Sequence, residues 1–152
     1  ACSRAPDPRT RILTLPAYPA RCDGRAYRGG MPRKITTEEG RSALAAVAAA
    51  DAVATRPART DHATAVRYLL QLLVEKAPGN SVEVRVPPFG AVQVVRGPRH
   101  TRGTPPNVVE LDATTWIGVA TGASTWQEAV DAGQIHASGV RADLEGLLPL
   151  RP

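Results

Sequence analysis

The hydrophobic rhythm of this chain changes near residue 77, and that change limits the architectures open to it. Between about Asp61 and Lys76, Val66, Leu69, Leu70 and Leu73 recur at helical spacing, with His62 or Ala63 one turn earlier. Directly afterwards, in SVEVRV, Val82, Val84 and Val86 alternate with Glu83 and Arg85. That two-residue period belongs to a strand with one buried face. APGN lies between the two patterns, and its Pro78 and Gly79 stop the helix. A core helix followed at once by a half-buried strand calls for a sheet with helices laid on it.

The pattern extends in both directions. Upstream, Thr36 precedes Glu39 by three residues, the spacing of a capping box, and opens an Ala-rich helix with Leu44, Val47 and Ala48 on one face. Its apolar side chains are small, so this helix is expected at the periphery. Downstream, Pro87, Pro88 and Gly90 break the first strand before AVQVVR resumes as a second, either in a hairpin or as one bent strand. Pro87 cannot donate a ladder bond, which assigns the bend to an edge or a bulge. RGPRHTRGTPPN, Arg96 to Asn107, has no apolar face and reads as a loop or irregular crossover.

VVELD is a third strand. ATTWIGVATG is a short helix capped at Asp112 or Thr114 and stopped by Gly122, and STWQEAVDAG is another, with Ser124 and Gln127 as its capping box and Gly133 as its stop. QIHASG alternates as a fourth strand through Ile135 and Ala137. ADLEGLLPL closes the chain as an amphipathic helix or turn through Leu144, Leu147 and Leu148. Central strands with helices at both ends predict an α+β domain, a sheet of about four to five strands with helices packed on one face.

Composition removes several function classes. No apolar run approaches the ~20 residues of a membrane span. The net charge of +5 suggests nucleic acid until it is located: residues 1–30 hold six Arg against two Asp, so nearly all the excess lies there. A grip on phosphate backbones needs clustered cations on the folded part, and no nucleic-acid partner is expected. Cys2 and Cys22 also lie in the first thirty residues, which excludes a disulfide scaffold or Cys-ligated zinc from the rest. His62, His100 and His136 are too scattered for a metal site. The Gly pair of Arg28–Gly30 precedes no strand, so neither metal nor nucleotide cofactor is expected. Residues 1–30 read as a disordered leader, with Ile12 to Leu15 too short for a signal core of roughly 7–15 apolar residues. Met31, the only Met, reads as the natural start, and the location reads as cytoplasmic.

From Val108 to Leu150 the markers Asp112, Gly122, Gly133, Gly139 and Leu144 to Leu148 follow one another in a set order. This ordered set resembles the C-terminal half of the sterol-carrier-protein family. The stretch VEVRVPPFGAVQVVRGPRHTRGTPPNVVE resembles that family's actinobacterial branch, so the likeness runs over residues 31–150. It implies a sheet backed by helices with an apolar cavity between them, and carriage of a lipid or other apolar small molecule without catalysis. The chain departs from the family between Arg96 and Asn107, where a polar, Pro-rich loop replaces a further regular strand.

The residues expected to line such a cavity are Val92, Val94, Val109, Leu111, Trp116, Trp126, Leu144 and Leu148, part of an apolar set that otherwise simply packs as the core. Trp116 and Trp126 are the stronger pocket candidates, because large rings with one polar atom suit the border of a core and an opening. Arg99, His100, Arg102 and Asn107 form the concentrated polar group; the two Arg could clamp a carboxylate or phosphate headgroup. His100 has Thr101 and Thr104 nearby but no evident orienting carboxylate, so no catalytic residue is assigned. Transient membrane contact is compatible with such a carrier. The alternative is an accessory domain of an isomerase or transferase, with the Arg99–Asn107 loop contributing a polar site.

Overall fold

The computed structural model describes residues 33–97 and 107–152. Its first element is the helix α1, Thr37–Ala52, with the capping box expected at Thr36. The Thr36 hydroxyl accepts the Glu39 N–H at 3.2 Å, and the Glu39 carboxylate accepts the Thr36 N–H at 2.9 Å. Two of the donors orphaned at a helix start are thereby satisfied. Helix α2, Arg59–Lys76, begins two residues before the periodic stretch and has no side-chain cap. It buries Val66, Leu69, Leu70 and Leu73, the stripe read from the sequence, with Ala65 and Tyr68 added, while His62 and Ala63 are half-buried.

Strand β1, Pro78–Val86, starts before the alternation does, and its register slips between Pro78 and Val82. It forms an antiparallel hairpin with β2, Gly90–Val94, in which Val84 faces Val92. Pro87 and Pro88 sit in the connecting turn, where no ladder donor is needed. β3, Val108–Leu111, pairs parallel with β1, and β4, Ile135–Ser138, pairs antiparallel with β3. The sheet order is β2-β1-β3-β4, so four strands form among the described residues and the first of them is central. Helices α3, Ala113–Thr121, and α4, Trp126–Asp131, bridge β3 to β4.

Two local expectations need correction. The capping box of α4 is Thr125 with Glu128, one residue beyond Ser124 and Gln127. Glu128 carries a charge, and its carboxylate accepts the Thr125 N–H at 2.9 Å, a stronger bond than an amide oxygen would make. The C-terminal segment contains only a short 3-10 turn, Glu145–Leu147, of the two alternatives allowed for it. Pro149 cannot continue a helix.

One face of the sheet carries Val82, Val84, Val86, Val94, Val109, Leu111 and Ile135, all buried against the helices. The opposite face presents Glu83, Arg85, Glu110 and His136, with Arg85 bonded to Glu83 and 3.9 Å from Glu110. Ala137, expected to alternate inward with Ile135, is exposed at the sheet edge. At the end of β2, Val95 turns left-handed (φ 64°), a costly conformation for a β-branched residue. Its N–H donates to the Ala77 carbonyl at 2.8 Å, while its own carbonyl accepts the Ser81 N–H and hydroxyl. Those bonds hold the strain in place.

Candidate functional site

The apolar residues singled out from the sequence do come together. Val94, Val109, Leu111, Trp116, Trp126 and Leu144 are 8% exposed or less and belong to one cluster, with Val92 and Leu148 half-buried against it. Trp116 has no exposed surface, and its indole N–H donates to the Val66 carbonyl at 3.3 Å. The ring is closed in against α2, and its one polar atom is satisfied by the backbone of that helix.

Of the polar group, Arg99, His100 and Arg102 lie outside the described residues. Asn107 lies within them and is buried. Its Nδ2 donates to the Ser81 carbonyl at 2.8 Å, and its Oδ1 accepts the Arg141 N–H at 3.0 Å. Its own carbonyl accepts the Glu83 N–H at 3.0 Å. One amide side chain therefore latches the start of β3 to β1 and to the segment after β4.

Among the described residues, a roomy and largely apolar opening lies elsewhere, along the seam between α1 and α3. It is a groove of about 680 Å³, within the range of small-molecule sites, ~300–1,000 Å³. Arg41, Leu44, Ala45, Ala48 and Asp51 recur along α1 at one-turn spacing, with Val47 beside them. Thr114, Ile117, Gly118 and Thr121 repeat the spacing on α3, and Ala123, Ser124, Gln134 and Pro152 close the ends. The floor is apolar and narrow-chained, and the rim carries hydroxyls and two charges. Arg41 donates to the Pro152 carbonyl at 3.0 Å. Asp51 stands ten residues further along α1, about 15 Å at 1.5 Å per residue.

Local chemistry fixes the α3 wall. Asp112 accepts the N–H groups of Thr114 and Thr115 at 2.8 and 3.1 Å, and the Thr115 hydroxyl at 2.6 Å. Partial burial pushes the Asp112 carboxyl upward, but the bonds from Thr115 and Thr114 outweigh it and hold the group below its ordinary range. The helix ends at Gly122, whose φ of 86° a residue with a Cβ would adopt only at a cost. The α1 wall is seated by the close approach of Gly40 to α2: a Cβ there would lie 2.2 Å from the Tyr68 ring.

Sequence reasoning missed this groove. Periodicity groups Ile117 with the apolar core set, against which it does pack, and offers no role for Arg41, Asp51 or Thr121. The available signal was the second stripe of α3, Thr114, Ile117 and Thr121, opposite the buried Trp116, Val119 and Ala120. Among the described residues, no group of three or more His, Cys, Asp or Glu converges as a metal site would require. No described helix is long and apolar enough to cross a membrane.

A family profile described as bacterial SCP ortholog matches residues 58–150. The chain belongs to this sterol-carrier-like family. The match opens at Ala58, the N-cap of α2, and leaves α1 outside, whereas the resemblance read from the sequence ran from residue 31. The α3 wall of the groove thus lies inside the matched range and the α1 wall outside it. No curated protein matches the chain.

Proposed function

We propose that this sterol-carrier-like protein binds and carries an apolar small molecule, a lipid or a compound of similar character, in the groove between α1 and α3. The observation that carries the reading is the combination of volume and lining: about 680 Å³ over Leu44, Val47, Ala48, Ile117 and Gly118. Apolar floors with a few polar groups at the rim suit ligands that are greasy along most of their length. The family supplies an independent reason to look for such a ligand. The interior between sheet and helices is the rival location. Its candidate residues, Trp116 and Val109 among them, have no exposed surface and belong to one cluster.

Ala48 is exposed on the groove wall, so Ala48→Trp fills the groove without disturbing the core. Binding of a fluorescent fatty acid should weaken by about tenfold or more in that variant, with its unfolding midpoint unchanged. Native mass spectrometry of freshly purified wild-type protein should show a co-purifying apolar adduct. Unchanged probe affinity in Ala48→Trp would move the site out of the groove. A bare apo mass together with no probe uptake by the wild type would end the carrier reading.

A further inference from the structure

We infer that α1 is the moving wall of the groove: it swings on the 53–58 connection, admits the ligand against α3 and closes over it. This rests on the groove being the ligand site. Sites that hold small molecules cover most of the ligand's surface, and an open seam between two helices covers less. One wall has to move, and the two walls differ in what holds them.

The α3 wall is built into the main core through Ala113, Trp116, Val119 and Ala120. The α1 wall contributes no buried residue to that cluster, only half-buried Leu44 packed against its side. Ala43 and Val47 form a separate small cluster with Ala65 of α2, and half-buried Leu44 and Ile117 border it. Gly40 also lies close against the Tyr68 ring, and the other fastenings of α1 are polar and lie at the surface or near it. The Ile35 backbone exchanges two bonds with the Gln71 amide, at 3.0 and 3.1 Å. Lys34 pairs with Glu75, and Arg41 bonds the Pro152 carbonyl. Segments with few buried apolar contacts open at low free energy, independently of the global unfolding that α2 and the sheet undergo.

The connection has the make-up of a hinge. Residues 53–58 are exposed apart from half-buried Pro57, and Ala54 takes a left-handed φ of 52°. Thr55 folds back on the end of α1, its N–H and hydroxyl both donating to the Ala50 carbonyl. A stiff helix therefore meets an exposed joint within a few residues. Lifting α1 uncovers Tyr68, Ala65 and Ile117, and widens the groove where its floor is apolar.

The test joins α1 to α2 in the full chain. In a Cys2→Ser, Cys22→Ser background, Ala43→Cys with Ala65→Cys places two thiols in the small cluster that seats α1. Once oxidised, this protein should bind the fluorescent fatty acid about tenfold more weakly or more slowly, and should recover on reduction. In the wild type, amide exchange of residues 37–52 should be faster than that of the buried face of α2, and ligand should slow it. Equal binding before and after oxidation would overturn the moving wall while leaving the groove as the ligand site. Failure of the reduced protein and the wild type alike to bind would instead remove the reading on which the inference rests. Gly40→Leu supplies a check that needs no disulfide, because its side chain collides with Tyr68. The expected result is lost protection in α1 with α2 still protected; loss of both together would make α1 part of the cooperative core and overturn the inference.

Discussion

The core under the sheet and the seam under α1 are both apolar helix contacts, yet they are built from different sizes of side chain. Beneath the sheet, Leu69, Leu73, Val84, Val109, Trp116 and Leu144 have no exposed surface at all. Under α1 the buried set is Gly40, Ala43 and Val47, facing Ala65 and Tyr68. Burial stabilises by about 0.8 kcal/mol per methylene-sized group, so Ala and Gly bring helices close while contributing little. Large interlocking side chains give a rigid element, and small ones give an element that can be close-fitting and still release. The groove lies where the two kinds of packing meet.

The strongest way to break this comparison is at its heavy end. Trp116→Ala should cost about 3–5 kcal/mol by cavity formation, enough to lower the denaturant midpoint of the whole domain severely. A loss near 1 kcal/mol, read from urea unfolding, would mean that the core is no better packed than the seam.

Asn107→Ala comes next. It leaves the Ser81 carbonyl and the Arg141 N–H without their partner, and a buried polar group left unpaired costs about 1–3 kcal/mol. The same urea titration measures it. A neutral result would show water or a neighbour replacing the amide, and the latch would not be structural.

The two caps sharpen the comparison because their chemistry is alike and their settings are not. Asp112→Ala and Thr36→Ala each remove a capping residue, at about 1 kcal/mol for the helix concerned. Loss of the Asp112 cap should lower the global unfolding midpoint, since α3 is part of the core. Loss of the Thr36 cap should chiefly speed amide exchange in residues 37–52. Equal global effects from both variants would erase the distinction between the regions.

The smallest expected effect concerns pH. Glu39 is lowered from 4.5 to about 2 by the Thr36 N–H, then by Arg33 and the Thr36 hydroxyl. A carboxyl with a depressed folded-state pKa stabilises above its unfolded value, and that contribution disappears as pH falls through the folded one. The cap of α1 should therefore weaken progressively from pH 4.5 down to about 2. Carbon chemical shifts of residues 37–41 should drift toward coil over that window ahead of those in α2. Simultaneous change in both helices would assign the transition to global acid unfolding instead.

Much of the architecture was legible because it is written locally. The Thr36–Glu39 box, the stop at Gly122, the stripe of α2 and the alternation of Val82, Val84 and Val86 each depend on residues within one or two turns. Where neighbours in sequence offered equivalent chemistry, the reading slipped by a residue, as at Thr125 and Glu128. The set from Val92 to Leu148 converges because burial follows from periodicity, but periodicity does not distinguish a lined pocket from a filled one.

The sequence by itself determined most of the elements, the cap of α1 and the faces that α2 and β1 bury, because a backbone's orphan donors and a side chain's period act over a few residues. Only the tertiary structure decided that β1 sits in the middle of the sheet, parallel to β3, and that Leu44 and Ile117 border one groove. Those arrangements join residues far apart in the chain. They depend on how whole surfaces fit, which is a property of the packed elements together.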